Sequence, residues 1–160
     1  LIATRNLASL GGTSVSWTGL SGYSIYRLIG NNVYFGGSSE TVYLQFGTGA
    51  TPTYTTSGYG YQRVIGGTST ASALQTFSAT GLLLNVAAAG YLSFDVILCI
   101  GPSNITSTSN FVTTATVGNT YSGVIGGWYN TSTAITAFKT FNNNSYTYTS
   151  GFISLYGISS

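Results

Sequence analysis

The stretch that decides the fold is Leu92-Ser93-Phe94-Asp95-Val96-Ile97-Leu98-Cys99-Ile100. Leu92, Phe94, Val96, Leu98 and Ile100 alternate with Ser93, Asp95, Ile97 and Cys99. A period of two places one wholly apolar set on one face of a strand and a mixed set on the other. This is the pattern of a central core strand. Val42, Leu44 and Phe46 alternate with Tyr43 and Gln45 in the same way, and further strands are predicted over 23–29, 59–65, 111–117, 121–125, 135–141 and 152–156. No stretch sustains a 3.6-residue apolar period, so helix is the exception. Only Thr80 to Gly90 admits a short helix, with an irregular strand as the alternative.

Between these segments lie polar stretches rich in Gly, Asn, Ser and Thr: 47–57 with Pro52, 101–110 with Pro102, 126–133 and 142–150. They read as loops. Short strands with turn signals every 8 to 12 residues or so indicate a sandwich or barrel. The expected architecture is all-β: an antiparallel β-sandwich, jelly-roll-like, of about eight strands in a single domain over residues 1–160, the first dozen residues being a candidate extended arm.

The chain's 160 residues suffice to bury a core, and with 43% hydrophobic and 14% aromatic residues it should fold. Charge is scarce, at 4% of residues against roughly 25% in ordinary soluble domains. The surface must therefore be one of hydroxyls and amides. Arg5, Arg27, Arg63 and Lys139 against two acids give a net charge of +2, too few cations for nucleic-acid binding. Weak self-repulsion favours association, so a homo-oligomer or larger assembly is expected. No apolar run approaches the ~18 residues of a membrane span, and the first residues lack a signal-peptide layout. With no Met anywhere, the chain reads as a processed product or a piece of a longer protein.

Chemistry is bounded by what is missing. The chain has no His, and Asp95 and Glu40 are its only acids. A His-containing triad and a Cys/His zinc site are excluded, and a glycosidase-type pair requires Glu40 to meet a mid-strand Asp95. Asp95 is better explained by pairing with Arg27 or Arg63 across the sheet. Neither an enzyme, a metal nor a cofactor is expected; the cluster of carboxylates usual for calcium is lacking. Cys99, set among Val96, Ile97, Leu98 and Ile100, reads as a buried, inert thiol. Gly11-Gly12, Gly36-Gly37 and Gly66-Gly67 match no phosphate-binding pattern and are turn chemistry. Asn104-Ile105-Thr106, Asn130-Thr131-Ser132 and Asn143-Asn144-Ser145 match the glycosylation sequon, as chance allows in so Asn- and Thr-rich a chain.

The positive signal is aromatic. Tyr54, Trp128, Tyr129, Tyr146 and Tyr148 lie in or beside polar loops, where a flat ring flanked by short uncharged hydrogen-bonding groups suits a sugar. Tyrosine is equally a residue of strands and protein interfaces, so ligand contact and subunit contact both remain open.

Several words, in order along the chain, carry a resemblance. They are Trp17-Thr18-Gly19-Leu20 with Tyr23 and Tyr26; Tyr43-Leu44-Gln45-Phe46-Gly47 with Gly49; Ser57-Gly58-Tyr59-Gly60-Tyr61; Ala134 to Phe138; and Ser150-Gly151-Phe152-Ile153-Ser154-Leu155-Tyr156-Gly157-Ile158. With these the chain resembles the β-sandwich domains at the C-terminal ends of bacteriophage minor tail and tail-fibre-like virion proteins. In that family a short Ser-Gly-Asn turn often precedes the ending, whereas Asn142 to Thr149 is longer here, which changes the tip loop. The resemblance implies an extracellular virion component of a tail, fibre or appendage. It implies oligomeric partners, trimers being common at fibre tips, and other virion proteins, but supplies no known ligand; a host-surface glycan as candidate receptor rests on the aromatic loops. A head-decoration or capsid-associated protein and a stand-alone carbohydrate-binding module are the alternatives.

Overall fold

The computed structural model describes residues 1–37, 41–67, 71–85, 90–115 and 120–158. The decisive stretch is β9 (Gly90–Ile100), and Leu92, Phe94, Val96 and Leu98 are buried as its alternation requires. The other strands are β1 (Ala3–Asn6), β2 (Ser14–Thr18), β3 (Ile25–Phe35), β4 (Val42–Thr48), β5 (Thr53–Tyr54), β6 (Tyr59–Gly66), β7 (Ala71–Ala79), β8 (Leu82–Leu83), β10 (Asn104–Ala115), β11 (Tyr121–Asn130), β12 (Ile135–Asn142) and β13 (Tyr148–Ile158). A 3₁₀ turn, Leu7–Ser9, follows β1 and buries Leu7. Among the described residues this makes thirteen strands rather than about eight, because short and edge strands carry little periodic signal.

Two antiparallel sheets form the sandwich. The larger has eight strands in the order β1-β13-β3-β9-β10-β11-β6-β7; the smaller runs β2-β12-β4-β5, with β8 also pairing β4. All-β architecture is therefore as expected. No helix among the described residues is long and apolar enough to cross a membrane. The 80–90 segment forms β8 at Leu82–Leu83, and residues 86–89 lie outside those described. Two expected loops are largely strand: β10 begins at Asn104 and β11 continues to Asn130. Of the first dozen residues, 3–6 pair with β13 as an edge strand.

One core fills the space between the sheets. Phe46 of the smaller sheet lies 5.8 Å from Tyr59 and 5.6 Å from Tyr129 of the larger, ring centre to ring centre, and 5.6 Å from Phe138 beside it. Tyr26 meets Phe138 edge-on at 4.9 Å. Edge-to-face and tilted contacts at these separations are the favoured aromatic geometries.

Buried side chains also finish the backbone hydrogen bonding where ladders stop. The Tyr59 hydroxyl crosses the core to accept from the Phe46 amide at 2.9 Å and donates to the Thr55 carbonyl at 3.2 Å. Asn85 Oδ1 accepts from the Val42 amide at 2.6 Å, and Ser109 donates to the Leu84 carbonyl at 2.9 Å. Each partner is one that an unpaired, buried backbone group demands.

The Ser150-Gly151 word has a steric explanation. Gly151 has φ +96°, and a Cβ there would overlap the Asn32 carbonyl. Asn32 itself has φ 49°, and the pairing of β13 with β3 shifts register around Ser150. The glycine is needed where two irregular strands approach closely.

Candidate functional site

The five aromatic candidates do not converge. Tyr148 is a core residue, 1% exposed, its hydroxyl bonded to Thr140 Oγ1 at 3.2 Å and its ring 4.5 Å from Phe35. Burial pushes its phenol pKa up, the Thr140 bond opposing. Tyr129 stacks on Tyr59 at 4.6 Å and donates to Thr55 Oγ1 at 3.1 Å, so its ring serves the core. Trp128, the next residue along β11, points the other way. Its indole lies over Gly60 and meets Phe77 edge-on at 5.8 Å.

Tyr54 sits on the outside of the smaller sheet. Its ring edge is 3.0 Å from where a Cβ on Gly47 would stand, and Lys139 Nζ lies 4.6 Å above its centre. Phe141 holds the same ammonium at 5.6 Å and stacks on Tyr43, also at 5.6 Å. Partial burial lowers the Lys139 pKa. Tyr146 is exposed in the turn after β12, and both its backbone groups are bonded to the Asn142 side chain. Trp128 and Tyr54 thus belong to different sheets, and Tyr146 to a turn.

Asp95 pairs with Arg27, one of the two partners expected. The contact is bidentate: Nε to Oδ1 at 2.9 Å and Nη2 to Oδ2 at 2.6 Å. The carboxylate beside it pushes the Arg27 pKa higher still. Glu40 lies outside the described residues. Among the described residues no group of three or more His, Cys, Asp or Glu could hold a metal ion.

Cys99 corrects an expectation, for it is exposed. Its parity in β9 is that of Asp95 and Ile97, the face turned away from the core, whereas its neighbours Leu98 and Ile100 gave it an apolar setting in sequence.

That outward face of the eight-stranded sheet is the largest feature sequence reasoning missed. Cross-strand registry defines its rows. One runs Ser154, Ile29, Asp95, Asn110, Val124, Val64, Ala73; the next runs Tyr156, Arg27, Ile97, Thr108, Gly126, Gln62, Gln75. A third row contains Ile158, Ile25, Cys99, Thr106, Trp128 and Gly60. Val64 is 63% exposed, and Val124, Val112 and Ile97 between 44 and 49%. A shallow trough beside them is lined by Ile29, Asn31, Asp95, Asn110, Val112 and Val124. The charged residues with outward parity on this face, among those described, are Arg27 and Asp95, and they neutralise each other.

No protein-family model matches the chain, and no curated protein matches it significantly.

Proposed function

We propose that this chain is a non-enzymatic structural component of a bacteriophage virion, in a tail, fibre or appendage exposed outside the cell. The observation that carries the reading is the outward face of the eight-stranded sheet, where Val64, Ile97, Val112 and Val124 stand exposed and, among the described residues, the charges are those of the self-neutralised pair Arg27 and Asp95. Monomeric proteins rarely leave a large apolar patch uncovered. A subunit built for assembly covers it.

Strand order supports the jelly-roll form of the sandwich. The larger sheet opens β1, β13, β3, β9 and the smaller runs β2, β12, β4 with β8 on its far flank. These eight strands give the two interleaved four-strand sets of a double Greek key, which β6, β7, β10 and β11 then extend at one side. The resemblance to phage tail and fibre domains points to the same class of architecture.

Receptor binding by a ring platform is the weaker part of the reading, because the five aromatic candidates are dispersed and Tyr148 is closed to any ligand. The test is location. Antibody against the chain should decorate purified phage particles in electron micrographs at the tail, fibre or appendage. Decoration of the icosahedral shell would make it a head protein, and its absence from particles would end the proposal.

A further inference from the structure

We infer that the outward face of the eight-stranded sheet is buried against a further copy of this same chain. The inference deepens the reading of the chain as an assembly subunit and rests on the same face, but it names the partner and the residues that meet it.

Size is the first argument. Eight strands at about 4.8 Å spacing make the face roughly 34 Å wide, and the three rows above together with the row of Ser93, Val112 and Ser122, at about 6.8 Å spacing, span roughly 20 Å. The product is about 700 Å², close to the ~800 Å² each partner contributes to a stable interface. Charge is the second. A foreign partner selected electrostatically would meet unpaired charges, whereas Arg27 and Asp95 are bonded to each other at 2.6 Å. Two copies, each of net charge +2, repel only weakly.

Relief is the third argument. Gly66 and Gly126 lie on this face, and among the described residues nothing comes within 4 Å of a Cβ placed on either. Neither has a positive φ, so no described contact inside the monomer requires a glycine there. A glycine within a strand without an internal reason marks close approach by something outside. Between them Val64 and Val124 form a directly paired apolar ridge, flanked by the trough that Val112, Asn110 and Ile29 line. One molecule thus carries both ridge and trough. The aliphatic centre also disfavours a sugar, which takes an aromatic platform, and the outward rings, Trp128 with Phe77, Tyr91 with Tyr34, Tyr156 and Phe152, lie towards its margins.

The experiment is light-scattering mass measurement on the purified chain, wild type and Val124→Lys, with Thr18→Lys on the exposed side of the smaller sheet as control. Wild type and Thr18→Lys are expected to elute at twice or three times the 16.6 kDa chain mass, twice if the face meets itself and three times if it meets a neighbour's edge. Val124→Lys should elute as a monomer with an unchanged β-sheet circular dichroism spectrum. Maleimide should label Cys99 of Val124→Lys at least about tenfold faster than Cys99 of the wild type, because the thiol shares the buried face. A monomeric wild type, a Val124→Lys variant of unchanged mass with the Cys99 rate unaltered, or dissociation by Thr18→Lys alone would overturn the inference. Particle decoration with a monomeric chain would sink this interface and spare the virion role; an oligomer missing from particles would do the reverse.

Discussion

Tyr59 shows how one side chain ties the two sheets. Its ring belongs to the larger sheet, yet its hydroxyl takes the Phe46 amide that the ladder of β4 leaves unpaired between β8 and β5. Burial raises the phenol pKa, opposed by that backbone bond. Tyr59→Phe keeps the ring and removes the oxygen, stranding a buried amide donor and the Thr55 carbonyl. The expected loss is about 1–3 kcal/mol, read as a lower urea midpoint with an unchanged m-value. An unaltered midpoint would show that the amide has another acceptor. Sequence marked Tyr59 only as a strand residue, because a bond that crosses a core leaves no local periodicity. Cys99 illustrates the opposite failure: the alternation that identified β9 already gave it the parity of Asp95, but its apolar neighbours outweighed parity in the reading.

Among elements, legibility followed burial on one face. β9 buries alternate residues, β4 and β12 carry apolar residues on their core side with Gln45 and Ala137 buried as well, and all three were anticipated with nearly correct bounds. β7 is exposed along most of its length at the sheet edge, so Ala71 to Ala79 has no alternation to read. β5 and β8 are two residues each, too short for any period. Glycine misled at β11, where Gly126-Gly127 read as a loop. Gly127 is in fact needed in the strand, since a Cβ there would stand 2.7 Å from Ser107 Oγ and 2.8 Å from Leu82 Cδ2. The candidate site was lost for another reason: Val112 and Val124 lie in segments anticipated as strand, 111–117 and 121–125, but their meeting with Val64 and Asp95 on one outward face is set by cross-strand register, which leaves no local signal. The turn after β12 was anticipated, and its organiser is Asn142. That buried side chain accepts from the amides of Asn144 at 3.2 Å and Tyr146 at 2.9 Å, and donates to the Tyr146 carbonyl at 2.5 Å. Asn142→Ala should release the turn, accelerating hydrogen exchange at Asn144 and Tyr146 while β9 amides keep their protection. The global cost should be about 1–3 kcal/mol. Equal acceleration throughout would mean that the residue holds the fold and not the turn.

For the whole molecule, scarcity of charge sets the response to pH and salt. The acid side involves two carboxylates, Asp95 and Glu40. Asp95 and Arg27 are both substantially exposed, so salt screens their pair and its loss costs little. The alkaline side is different. Burial is the leading cause that raises the phenol pKa of Tyr26, Tyr43, Tyr59 and Tyr148 in the fold. Below the unfolded value of about 10, these groups are protonated in both states and contribute no slope. Above it the unfolded chain releases protons that the folded chain retains, so stability must fall as pH rises. Lys139 works the other way: its lowered pKa makes the unfolded chain bind more protons just below about 10.5, and that penalty on the fold fades as pH rises. One partly exposed ammonium does not offset four phenols. The melting temperature should therefore stay level within a few degrees from about pH 4 to about pH 9 and drop steeply above about pH 10. Salt between about 0.05 and 1 M should barely move the plateau. A fall of tens of degrees on acidification, or a plateau continuing past the tyrosine range, would contradict this account of a fold held by apolar packing and uncharged hydrogen bonds.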